Sequence, residues 1–180
     1  MIICPTEKTV IATAPKTGST SLHAMAHRHA PDERSRPFIV RVDTPHGQHD
    51  CGLPECVKDD RDAWQVIVTI RNPFTRIVSL WRHQQATEFA STFRMFVDRV
   101  AEKIAPEIYS RTLVDWYSEC GVDGVIRFES FEADVVALQL FRCDVAHENA
   151  SRAVRDPHDD VTREKTGLWA RDDFNLIYGT

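Results

Sequence analysis

Two short stretches of this 180-residue chain carry the residue types that bind anions. In the first, Pro15 and Lys16 lead into Thr17, Gly18, Ser19, Thr20 and Ser21; in the second, Arg71-Asn72-Pro73 leads into Arg76, Ser79 and Trp81. Each follows a β-branched apolar run, Val10-Ile11-Ala12-Thr13 or Val66-Ile67-Val68-Thr69-Ile70, and each opens a helical pattern. A strand that turns into a helix leaves backbone N–H groups unpaired at the positive end of the helix dipole, a ready anion site. Gly18 lets the backbone approach an anion closely, and the hydroxyls and N–H groups around it can cradle oxygens. Lys16 can set a point charge on a leaving atom. Arg71 and Ser79 can face one phosphate, so the two stretches suit a ligand with phosphate at two ends.

The elements that position these residues read as alternating strands and helices. Strands are expected at 9–14, 38–42, 65–70 and 124–128. Helices are expected over 19–30, closed by Pro31, and from Pro73 to about 88, with Asn72 as N-cap and Pro73 at the first helical position. Ser91 is expected to cap a helix with the stripe Phe93, Phe96, Val97, Val100 and Ile104, broken near Pro106. Further helices are expected over about 110–119, ending at Gly121, from Ser130 to about Phe141, and over 168–178. The last would dock Leu168, Trp169, Phe174, Ile177 and Tyr178. Residues 43–62 read as loop with room for one short helix, and the polar stretch 144–165 as a long loop. This alternation implies an α/β fold, a parallel β-sheet flanked by α-helices, in one domain over 1–180.

Composition narrows the function classes. Apolar residues make up 42% and charged residues 27%, as in ordinary globular proteins. A formal net charge of −5 speaks against a dedicated nucleic-acid binder, so any basic site is local. No stretch approaches the roughly 18 consecutive apolar residues of a membrane span, and Met1-Ile2-Ile3-Cys4-Pro5 lacks the pattern of a leader. Five cysteines without a CxxC favour reduced thiols, and with them a cytoplasmic location.

The two anion segments together carry a family resemblance. Lys16-Thr17-Gly18-Ser19-Thr20 after a strand resembles the 5′-phosphosulfate loop of the sulfotransferases that use 3′-phosphoadenosine 5′-phosphosulfate (PAPS). Arg71-Asn72-Pro73-Phe74-Thr75-Arg76-Ile77-Val78-Ser79-Leu80-Trp81 is similar to that superfamily's 3′-phosphate strand and helix. Arg127-Phe128-Glu129-Ser130-Phe131 resembles its later strand-to-helix segment, and Asp173-Phe174 with Ile177-Tyr178-Gly179 its C-terminal ending. The order matches over nearly the whole chain, in the manner of short bacterial-type members with a P-loop-like fold.

The resemblance implies that Lys16 binds the 5′-phosphate and bridging oxygen, with Thr17, Gly18, Ser19, Thr20 and Ser21 around the phosphosulfate. It implies that Arg71 and Ser79 bind the 3′-phosphate. The reaction implied is in-line transfer of a sulfuryl group to a hydroxyl, or as second choice an amine, on a carbohydrate, lipid or small molecule. No metal is required for such a step. A general base is implied between the two motifs, where His49 is taken first and His46 second.

Rival readings attach to the same residues. His46, His49, Cys51 and Cys56 offer four soft-metal ligands, but their spacing is irregular for zinc. His23 and His27 lie one helical turn apart and read as a surface pair. Tyr109, Trp116 and Tyr117 read as core, and Lys165-Thr166-Gly167 as a surface turn or a segment closing over the cofactor. A P-loop kinase would need G-x-x-x-x-G-K-[ST], which the first loop lacks. A nucleotide-binding module without turnover is the remaining alternative.

Overall fold

A computed structural model describes residues 1–29, 38–39, 53–84, 89–118, 120–140 and 156–178. Among the described residues five strands form one sheet: β1 (Ile2–Cys4), β2 (Thr9–Thr13), β3 (Phe38–Ile39), β4 (Gln65–Ile70) and β5 (Gly124–Arg127), in the order β3-β1-β2-β4-β5. The expected parallel sheet is parallel only through β2, β4 and β5; β1 pairs antiparallel with both β2 and β3. The short strand β1 was not expected. It enters by a tight turn in which the Lys8 N–H donates to the Pro5 carbonyl at 3.3 Å and Lys8 takes a φ of 49°. Its three residues are all buried, and as the first arm of a β-hairpin it needs only a turn to reach β2, where a parallel pair needs a crossover.

The helices are α1 (Ser19–His29), α2 (Glu55–Lys58), α3 (Pro73–Gln84), α4 (Phe93–Ala101), α5 (Glu107–Ser110), α6 (Leu113–Tyr117), α7 (Phe131–Ala137), α8 (Asp160–Trp169) and α9 (Arg171–Tyr178). The fold is α/β. Two compact units partition it: residues 1–70 with 117–150, and residues 71–116 with 151–180. In the first, Ile2, Ile11, Ile67 and Ile126 of the sheet pack with Leu22 and Met25 of α1 and Phe131 and Val135 of α7. In the second, Ile77 and Leu80 of α3 pack with Phe93, Phe96, Val97 and Val100 of α4 and with Tyr109 of α5, and Trp169 of α8 leans on this cluster.

Several helices depart from expectation for identifiable reasons. Thr92, not Ser91, caps α4, its side chain accepting from the Met95 N–H at 3.2 Å. The helix stops before Lys103, whose φ is 55°, and Ile104 is left 65% exposed outside the stripe. The helix expected over 110–119 is only α6, Leu113–Tyr117, with α5 a separate short helix before it, and α7 ends at Ala137 because Gln139 turns to a φ of 52°. The largest correction is α8. A capping box joins Asp159 and Thr162 and starts a helix where a long loop was expected, and it places Lys165-Thr166-Gly167 inside that helix. Its buried face is built on Thr162 and Thr166, so it carries no apolar signature. In α9 the fully buried residue is Asp173, while Tyr178 is 55% exposed, as is Leu168 of α8 at 58%.

Candidate functional site

The sheet has one point where its connections part. From β2 the chain passes through α1 to β3 on one side, and from β4 it passes to β5 on the other. β2 and β4 are adjacent and parallel, with Thr13 opposite Thr69, so both leave the sheet at the same end. In open α/β sheets, ligands bind beyond the carboxyl ends of strands at such a switch point. Among the described helices, α1 and α3 follow these exits and carry no carboxylate in the first turn; α4 shares that property. The remaining six hold an Asp or Glu there.

The first loop runs from Ala14 to Gly18. Lys16 has a φ of 66° and Gly18 a φ of 102°. Turns through left-handed residues gather successive N–H groups into a concave anion-binding nest. The Gly18 carbonyl accepts the first bond of α1, from the Leu22 N–H at 3.2 Å. A side chain at Gly18 would meet the Phe128 ring at 3.3 Å and the Phe131 ring at 3.5 Å. Glycine is therefore favoured by the backbone angle, and a methyl here would also press the Phe128 ring back by a few tenths of an ångström. Lys16 is half-buried, Thr20 is exposed, and Ser19 and Ser21 are buried.

Thr17 is placed differently from the hydroxyl ligand the sequence suggested. It is 0% exposed. Its Oγ1 donates to the Ala14 carbonyl at 2.7 Å and lies 2.5 Å from the Thr69 hydroxyl. Its side chain holds the loop closed beneath. Beside it the Tyr117 hydroxyl accepts from the Ala14 N–H at 2.8 Å and donates to the Thr69 carbonyl at 2.5 Å. Sequence reasoning took Tyr117 as plain core; its role depends on a contact 103 residues away in the chain.

The second segment is built on α3. The Asn72 Oδ1 accepts from the Phe74 N–H at 3.0 Å, the expected N-cap, and its Nδ2 donates to the Tyr178 hydroxyl at 2.7 Å. The Arg71 Nε donates to the Thr75 hydroxyl at 3.0 Å, which itself donates to the Asn72 carbonyl at 3.0 Å. Thr75 and Ser79 are four residues apart and share a helix face. The guanidinium of Arg71 is thus drawn onto the face that carries the half-buried Ser79. Arg76, in contrast, is structural. It is fully buried, donates from both Nη atoms to the Arg111 carbonyl at 3.2 Å, and lies 3.9 Å from Asp173. Asp173 accepts from the Val114 N–H at 2.9 Å, and burial pushes its carboxyl above the ordinary range against the pull of those N–H groups and Arg76.

The junction after β5 completes the surroundings of the first loop. Asp134 accepts from the Arg127 backbone N–H at 2.7 Å, from its Nε at 2.9 Å and from its Nη2 at 2.6 Å, and from the Ser130 hydroxyl at 3.2 Å. The hydrogen bonds from the Arg127 side chain, then its N–H and charge, hold Asp134 below the ordinary carboxylate range. Ser130, expected to start this helix, stands at its N-cap but makes no side-chain cap bond to the backbone. The clamp fixes the turn that lays Phe128 and Phe131 over Gly18.

His49, His46 and Cys51 lie outside the described residues, so the expected base is not part of this geometry. Cys56 is exposed on α2, and Cys4 and Cys120 are buried free thiols; burial, then Glu7, pushes Cys4 up to about 12. Among the described residues no group of three or more His, Cys, Asp or Glu is arranged for a metal ion. Nor is any described helix long and apolar enough to cross a membrane. Comparison of the chain with protein-family models, curated proteins and solved structures gives no match.

Proposed function

We propose that this chain is a PAPS-dependent sulfotransferase acting on a hydroxyl-bearing acceptor. The observation that carries the reading is the Lys16 loop at the switch point of the sheet, with the Thr17 hydroxyl turned inward. In a nucleotide triphosphatase the hydroxyl after the lysine holds magnesium. Here that hydroxyl is buried and bonded to Ala14 and Thr69. This favours an anion held by N–H groups and a lysine over a magnesium nucleotide, and so favours sulfuryl transfer over a P-loop kinase. Arg71, drawn by Thr75 onto the face of Ser79, supports recognition of a second phosphate.

The residues fit the donor. The donor supplies a sulfuryl group already attached to a phosphate, a good leaving group. The N–H groups of 17–20 and the N-terminus of α1 would hold the phosphosulfate, and Lys16 would neutralise charge gathering on the bridging oxygen. Arg71 and Ser79 would hold the 3′-phosphate that sets this donor apart from adenosine 5′-phosphate. The work of the protein is positioning and electrostatic stabilisation, as in phosphoryl transfer. His49, or failing it His46, would take the acceptor proton.

Calorimetric titration with adenosine 3′,5′-bisphosphate and adenosine 5′-monophosphate tests this without an acceptor. Tighter binding of the bisphosphate by at least tenfold, lost in Arg71→Ala, is the expected result. Equal binding of the two, or binding of ATP with magnesium-dependent hydrolysis, overturns it. Preference for the bisphosphate with no transfer of labelled sulfate to any acceptor in a broad panel would make the chain a binding module.

A further inference from the structure

We infer that Tyr117, acting with Thr69, is a positioning residue that sets the anion loop in its binding shape before a ligand arrives. The inference rests on the reading of residues 14–18 as an anion loop. Where β2 and β4 end, their ladder ends with them, and buried backbone groups there must find other partners. Ala14 is 0% exposed, as is Thr69. One phenol serves both strands: it accepts from the Ala14 N–H at 2.8 Å and donates to the Thr69 carbonyl at 2.5 Å.

The hydrogens of the cluster can be assigned in one direction only. A carbonyl cannot donate, so the Tyr117 proton goes to Thr69 O and the Thr17 proton to Ala14 O. The 2.5 Å contact between Thr17 and Thr69 is then made by the Thr69 proton. No proton is left for the 3.4 Å approach of Thr69 Oγ1 to the Tyr117 hydroxyl, which is a contact rather than a bond. Ala14 is thereby held at both its N–H and its carbonyl. It immediately precedes Pro15 and the left-handed Lys16, so fixing it fixes where the Lys16 backbone turn begins. A loop held this way gives up little freedom when an anion binds, and affinity gains by that amount.

Tyr117→Phe removes the phenol oxygen and keeps the ring. The experiment measures amide hydrogen exchange in the ligand-free variant and its affinity for adenosine 3′,5′-bisphosphate. The expected result is loss of Ala14 protection by at least tenfold relative to Ile67 and Val68, with weakening of the bisphosphate of about tenfold. A purely structural role would lower protection across the sheet together and leave the affinity of the folded fraction unchanged. Thr69→Val should also weaken binding, and Thr69→Ser, which keeps the hydroxyl, should restore it. Ala14 protection that tracks the sheet in Tyr117→Phe, with wild-type affinity, overturns the inference. If the wild-type chain binds no bisphosphate, the sulfotransferase reading fails, and the exchange of Ala14 still decides the role of Tyr117.

Discussion

At the scale of single residues, Lys16 and Gly18 sit two positions apart and do different work. Lys16 is proposed to meet charge that develops on the leaving oxygen, so its effect belongs to the transition state. Lys16→Ala should lower kcat at least 100-fold, as loss of one preorganised donor commonly does. Its melting temperature should stay within about 2 °C of wild type, since no core packing is removed. An unchanged kcat would remove Lys16 from the mechanism. Gly18→Ala should do the reverse first. With a φ of 102° and the Phe128 ring 3.3 Å from the new methyl, it should destabilise the fold by more than about 1 kcal/mol in a urea melt. The turn from β2 into α1 was legible in the residue types, because a β-branched run followed by glycine and hydroxyls is a local signal. The closeness of the Phe128 ring to Gly18 was not, since that ring comes from more than a hundred residues away. Separation in sequence likewise hid Thr17's inward hydroxyl, 52 residues from Thr69, and Tyr117's strut, 103 residues from Ala14.

At the scale of elements, the β5–α7 turn depends on one carboxylate. Asp134 is 7% exposed and accepts four hydrogen bonds. Its pKa is lower in the folded chain than the ordinary value near 4. The folded state therefore gains stability from Asp134 fully above about pH 4, and loses it as the pH falls through the lower folded value. Asp134→Asn should reduce the melting temperature by about 5 °C at pH 7, and the gap from wild type should close on acidification toward pH 2. A gap independent of pH would mean that shape, not charge, holds the turn. Asp173 is shifted the other way, and its contribution declines as the pH rises, but it is common to both proteins and cancels in the difference. Elements with apolar stripes or clear caps, such as β4 and α3, were readable from sequence. The helix α8 was not, because a face of Thr162 and Thr166 gives no hydrophobic period; its Asp159-x-x-Thr162 box was the signal available.

At the scale of the molecule, the chain crosses between its two units after Ile70, Trp116 and Ala150, so neither unit is one continuous stretch. Order in the second unit therefore depends on residues that are distant in sequence. The segment 156–178 brings Trp169 to the α3–α4 cluster, and the Trp169 Nε1 donates to the Ser110 carbonyl at 2.9 Å. It sets the His158 ring 4.8 Å from that of Phe93, gives Asp173 to the N-terminus of α6, and gives Tyr178 to Asn72. Without it Arg76 would keep its charge in a core stripped of its carboxylate partner, an arrangement that typically costs about 3 kcal/mol or more. A chain ending at residue 155 should consequently lose the near-ultraviolet circular dichroism of Trp81 and Trp116 and the cooperative melt of the second unit. It should lose with them the preference for the bisphosphate over the monophosphate, because Asn72 and the face of α3 that holds Arg71 and Ser79 belong to that unit. A truncated protein that keeps the Trp81 and Trp116 signals and the same preference would show that residues 71–116 order themselves, and that the second anion segment needs nothing from the C-terminal helices.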